Sequence, residues 1–141
     1  MKKPIVVALS LILSASATAQ DAPKVKYSGS GVNRRVIDMS DMLGEVPYME
    51  CKPVSTPVIG KIVKRDFDED EVTVASIVVT DARDKRHPIN INDSKVGLLG
   101  HSLNEIVPTF LSKGRRVQVW TYKCTGGGSG IFIYADRIKA L

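Results

Sequence analysis

Three aspartates at alternate positions, Asp66, Asp68 and Asp70, are the residues whose spacing comes nearest to a chemical site. Carboxylates at every second position can converge on a hard cation, because their oxygens line one side of a tight loop. A calcium loop with that opening also needs glycine at its sixth position and a bidentate glutamate at its twelfth. Those positions hold Glu71 and Ile77, so the calcium pattern is broken. Asp66, Asp68 and Asp70 remain weak metal candidates on an acidic, solvated turn, and no cofactor is expected. His87 and His101 are the only histidines, and neither stands with a serine or cysteine in a nucleophile motif. Both read as surface or capping residues. No catalytic residue is assigned, and the chain is expected not to be an enzyme.

Cys51 and Cys124 complete the reactive inventory, and the N-terminus sets their environment. Met1-Lys2-Lys3 is a positive lead, Pro4 to Ser16 is apolar, and Ala17-Thr18-Ala19 has the small-residue form of a cleavage site. Residues 1–19 therefore read as a signal peptide, with a mature chain from Gln20 and a periplasmic or secreted address. The apolar run is too short for a permanent span, so no transmembrane segment is expected after cleavage. An uncleaved interfacial anchor is the alternative. In an oxidising compartment an even pair of cysteines most simply forms one disulfide. Closing a loop of roughly seventy residues contributes about 4 kcal/mol in the chain-entropy account. A redox-active or metal-binding pair is the rival, against which stand the missing CxxC and the absence of clustered histidines.

The chain has 141 residues, 43% of them hydrophobic, enough for one domain with a core. Losing Lys2 and Lys3 leaves 18 basic against 15 acidic residues, a net +3 in place of +5. That is too mild an excess to mark a polyanion binder.

Residues 20–31 are polar and punctuated by proline and glycine, the composition of a flexible leader. Residues 32–55 are expected to form an N-terminal extension packed on the domain. Within it Val36, Ile37, Met39, Met42 and Leu43 fall at near-helical spacing before Gly44. From residue 56 onward the alternation is that of strands: Val58 to Arg65 with a bend or bulge expected at Gly60, Val72 to Thr80, and His87 to Asn92. Pro88 places part of the third strand at an edge or a mouth. One short helix, Leu103–Leu111, is expected next, opened by the Ser102/Glu105 capping box and shortened by Pro108. The hairpin Arg116–Lys123 and Ile131–Arg137, joined by Thr125-Gly126-Gly127-Gly128-Ser129-Gly130, ends the chain. Order β-β-β-α-β-β is that of an all-β, five-stranded Greek-key barrel.

Particular residues carry a resemblance to the OB-fold superfamily over residues 56–141. They are Gly60 inside strand one, Val78-Val79-Thr80-Asp81 with Ile89-Asn90-Ile91, Lys113-Gly114 before Val117 and Val119, and Ile133-Tyr134-Ala135-Asp136-Arg137-Ile138. With the leader, the chain looks like the small periplasmic OB-fold proteins of bacteria, loosely linked to envelope stress. In that topology strand one lies antiparallel to strand four, so Cys51 and Cys124 would be neighbours. The resemblance implies a shape and carries no function of its own.

Within the superfamily, a staphylococcal-type nuclease is the natural enzyme alternative. It needs an arginine before the last strand and a glutamate base after strand three. Gly128-Ser129-Gly130 and Asn90-Ile91-Asn92-Asp93-Ser94 stand there instead, so such a cation-dependent enzyme would be degenerate. A nucleic-acid or oligosaccharide binder is a second alternative. Strands two and three carry no aromatic for bases to stack on, which weighs against nucleic acid. The remaining candidates for a binding surface are Trp120, Tyr122, Phe132 and Tyr134, on one outward face by alternation, with the cations Arg83 and Arg86. Either the Val36–Met49 segment covers those rings or a partner does. The chain is thus expected to be an exported, non-catalytic binding module of the bacterial envelope, taking an envelope protein or a small ligand.

Overall fold

The computed structural model describes residues 21–71, 73–100, 106–126, 128 and 130–141. The signal-peptide reading of residues 1–19, His101 and the Ser102/Glu105 capping box lie outside them. Alternation of apolar and polar residues produces strands β1 (Lys24–Ser28), β2 (Arg35–Ser40), β3 (Glu50–Pro53), β4 (Val58–Phe67), β5 (Val74–Asp81), β6 (Arg86–Asn90), β7 (Arg116–Thr125) and β8 (Ile131–Ala140). Helices α1 (Asp93–Gly97) and α2 (Ile106–Phe110) stand between β6 and β7.

β4 pairs antiparallel with β5 and with β7, β5 with β6, and β7 with β8, while β6 meets β8 in parallel. The circuit β4-β5-β6-β8-β7 therefore closes on itself as an OB-like five-stranded barrel, the all-β architecture expected. Ile62, Ile77, Val79, Val117, Val119 and Ala135 are fully buried within it. At one end Val96 from α1 and Val107 and Phe110 from α2 join the same core. Arg65 ties α2 down by donating from Nη1 to the Pro108 carbonyl at 2.6 Å.

Among the described residues α2 lies within the span of the expected helix, and α1 is an additional one before it. Asn92 caps α1 by accepting from the Lys95 N–H, which lets a helix start immediately after β6. Gly60 is not a bulge: the register of β4 against β5 shifts between Ile62 and Lys64 instead. Glycine is required at 60 because a Cβ there would strike the Thr80 carbonyl across the pairing.

The N-terminal segments differ most from expectation. Residues 20–31, read as a leader, contain β1, whose Val25 and Tyr27 pack on the core between exposed lysines. The apparent helix of residues 36–43 is strand β2 and the turn after it. Ile37 is the extra residue of a bulge, since Tyr27 pairs with Val36 and Lys26 with Asp38. A bulge puts residues three apart on one side of a strand. Val36, Met39 and Met42, three apart, all reach the core as they would from a helix.

β2 joins the barrel by pairing Asp38 with Lys139 and Met39 with Ile138 of β8. A second bulge secures the chain beyond it. Trp120 pairs with Arg137 and Thr121 with Ala135, leaving Asp136 as the extra residue. Its carbonyl accepts from the Met42 N–H at 3.0 Å and its Oδ1 from the Leu43 N–H at 3.2 Å. The following strap, residues 41–57, carries β3, which lies on β7.

Candidate functional site

Cys51 of β3 and Cys124 of β7 are register partners, and they form a disulfide with Sγ atoms 2.02 Å apart. The bond pins the middle of the strap. Gly126 seats the strap further, since its φ of +151° suits glycine and a Cβ there would meet the Tyr48 carbonyl.

The barrel is closed at one end by α1, α2 and the β1–β2 hairpin, and among the described residues no helix or hairpin covers the other end. A groove of about 550 Å³ opens there. Val54 and Val58 of the strap and β4, Ile89 of β6, and Thr121 and Ile133 of the last hairpin line it. Ile89 and Thr121 are buried, while Val54 is 36% exposed. Lys85 and Arg86 stand at its rim beside His87. His87 Nε2 lies 2.8 Å from Asp81 Oδ2, and Asp81 Oδ1 accepts from the N–H groups of Arg83 and Lys85. These bonds, the one to His87 foremost, hold the Asp81 carboxyl below its ordinary range. Asp81 is thereby fully engaged, whereas the side chains of Lys85 and Arg86 make no ion pair or hydrogen bond among the described residues.

The groove depends on a weak seam. β6 and β8 are joined at one register pair, Asn90 with Tyr134. Pro88 sits on the unpaired side of that point, which is the mouth position its missing N–H suggested.

The outward aromatics occupy a different face. Trp120, Tyr122, Phe132 and Tyr134 are each half-buried. Tyr122 and Tyr134 are cross-strand partners, and Phe132 lies opposite Cys124. The Arg137 guanidinium lies 4.5 Å from the centre of the Trp120 ring. Arg137 is itself gripped by Asp38 of β2, donating from Nε to Oδ1 at 3.1 Å and from Nη2 to Oδ2 at 2.7 Å. Arg137 thus covers Trp120, and the N-terminal segment contributes the carboxylate that holds it there. Tyr134 borders a second groove of about 480 Å³, shared with Glu45, Val46 and Pro47 of the strap.

The acidic turn spends its carboxylates locally. Asp66 accepts from Ser76 Oγ and pairs with Lys64, Asp68 accepts from the Glu69 N–H, and Asp70 holds Thr73 through its N–H and its hydroxyl. Asp68 also shares a hydrogen bond with Asp93, which pushes the Asp93 carboxyl above its ordinary range. Among the described residues no group of three or more His, Cys, Asp or Glu side chains is placed to hold a metal ion. Arg83 is exposed on the β5–β6 turn, and of the two arginine candidates Arg86 is the one at the open end.

Sequence reasoning brought Cys51 and Cys124 together and pointed at Arg86, but it missed the groove floor and the Asp38–Arg137 pair. Pro88 was the available signal for the first. No local signal existed for the second, whose members are 99 residues apart. Comparison with protein-family models, curated proteins and solved structures finds no match for this chain.

Proposed function

We propose that the chain is an exported, non-catalytic binding module of OB-fold type, working in the bacterial envelope and taking a small ligand at the open end of its barrel. The observation that carries the reading is the open groove of about 550 Å³, where an apolar floor meets two cations, Lys85 and Arg86, that are unpaired among the described residues. Concave sites of roughly 300–1,000 Å³ with apolar walls and a few polar groups are the usual form of small-ligand pockets. Export is supported by the leader pattern of residues 1–19 and by the Cys51–Cys124 bond, which suits an oxidising compartment. The aromatic face is a poorer ligand platform, because the chain's own Arg137 already lies over Trp120.

Native mass spectrometry of the protein isolated from a periplasmic extract tests this directly. The wild type should retain a small molecule that Val54→Glu, a change at a partly exposed position of the groove floor, does not. Equal retention by both, or none by either, would overturn the open-end reading. Edman sequencing of the same material should begin at Gln20.

A further inference from the structure

We infer that the ligand of the open end is a single-chain amphiphile with an anionic head, its tail between β6 and the β7–β8 hairpin and its head at Lys85 and Arg86. This rests on the open-end reading above and names the class of molecule. The first argument is the shape of the seam. Beyond Asn90 and Tyr134, β6 and β8 have no register partners in each other, and Ile89 and Ile133 face the gap they leave. Such a gap has apolar walls and cations at its rim, which suits a molecule with an apolar tail and one anionic end.

Backbone chemistry separates a lipid-like tail from a peptide strand. The Ile91 N–H donates to the Ala75 carbonyl at 2.9 Å, so odd-numbered residues of this segment turn their backbone toward β5. By strand alternation Arg86 and Pro88 turn theirs toward the gap. Pro88 has no N–H, so an added strand would lose a ladder bond in the middle of the edge it had to pair with. An alkyl tail asks for no such bonds.

Charge selects the head. Asp81, the carboxylate at the rim, is occupied on both oxygens by His87 and by the N–H groups of Arg83 and Lys85. Lys85 and Arg86 are exposed and unpaired among the described residues. A carboxylate or phosphate arriving at the rim therefore meets two cations unpaired among the described residues and a carboxylate whose two oxygens are already engaged by donors.

The test uses dodecanoate, decanoate, decanol and acetate as probes, each below its aggregation concentration, with binding read by calorimetry and by amide shifts. Dodecanoate should bind one per chain and shift Ile89 and Ile133. Decanoate should bind more weakly, by up to about fourfold per methylene removed. Decanol should bind at least tenfold more weakly than decanoate, and acetate not measurably. Lys85→Glu combined with Arg86→Glu should weaken dodecanoate at least tenfold and leave decanol unchanged. Lys85 is exposed on the β5–β6 turn and Arg86 is the exposed first residue of β6, and an unaltered circular dichroism spectrum confirms the fold. Val54→Glu should abolish binding of all three alkyl probes.

Decanol binding as tightly as decanoate would overturn the anionic head and leave the open-end reading standing. Binding of an extended apolar peptide in preference to dodecanoate, with shifts at the Arg86 N–H, would replace the amphiphile by a strand. Failure of every probe, in a protein that still retains a mass lost in Val54→Glu, would refute the amphiphile alone. Dodecanoate binding that survives Val54→Glu would refute both the amphiphile at this site and the site.

Discussion

Asp38 is 5% exposed, an aspartate in the middle of a strand that is otherwise read as apolar on its inner side. Its burial is tolerated because Arg137 supplies two charge-assisted hydrogen bonds. Those bonds, and the Arg137 charge behind them, hold its carboxyl below the ordinary aspartate range. Removing one partner strands the other, so Asp38→Ala should lower stability by about 2 kcal/mol, less than a fully buried pair because Arg137 is partly exposed. The sign of the pH dependence follows from the depressed folded value. The contribution is fully present above the unfolded aspartate pKa and is lost as pH falls through the folded one. Urea titrations of wild type and Asp38→Ala should therefore diverge at pH 7, begin to converge only below about pH 4, and converge further as pH falls through the lower folded value. Arg137→Ala should in addition red-shift the emission of Trp120, the only tryptophan, by uncovering its ring. A constant gap between the two titrations across that range would show that Asp38 acts by shape and not by charge.

The strap of residues 41–57 is the element on which both grooves depend. Its Glu45–Pro47 part walls the groove beside Tyr134, and its Val54–Pro57 part walls the open end. Between them β3 is an edge strand held by β7 on one side alone, so its own pairing gives it little stability. The Cys51–Cys124 bond supplies what the pairing lacks, closing a sequence separation of 73 residues. Free-thiol labelling of the denatured, unreduced protein should find no reactive cysteine. Replacing both cysteines by alanine should cost up to about 4 kcal/mol. Hydrogen exchange should then speed up at residues 50–54 before it does in β4 or β5. If exchange rises uniformly, the bond stabilises the barrel as a whole and the strap is not separately held.

At the scale of the molecule, the β1–β2 hairpin and the barrel share one core. Val36, Met39 and Met42 belong to the same buried cluster as Ile62, Ile77 and Ile138. Met39 is 1% exposed, and truncating it leaves a cavity at the junction of the hairpin and β8. Met39→Ala should lower stability by about 2–5 kcal/mol. Because the core is continuous, the loss should appear in a single unfolding transition reported alike by far-ultraviolet circular dichroism and by Trp120 fluorescence. Two separated transitions would mean that the hairpin is an accessory docked on an independently stable barrel.

Local alternation determined the five barrel strands, because a half-buried strand writes its period of two into consecutive residues. It also marked Pro88, a residue that loses a hydrogen-bond donor wherever it stands, and so put part of the third strand at an edge or a mouth before any pairing was known. The cysteine bond was legible only through the signal-peptide reading of residues 1–19, since the redox compartment decides what a pair of cysteines becomes. Val36, Met39 and Met42 misled because a period of three is shared by a helix face and a bulged strand, and the bulge at Ile37 exists only through pairing with β1. Asp38 was unreadable for a related reason: an aspartate looks solvent-facing until Arg137, 99 residues away, is brought beside it. The open end was decided by the tertiary structure alone. Its floor comes from the strap, β4, β6 and the last hairpin, and Lys85 and Arg86 at its rim make no ion pair among the described residues while Asp81 binds His87 and its own loop. A pocket is a gap between distant segments, and no periodicity within one segment encodes what the others leave uncovered.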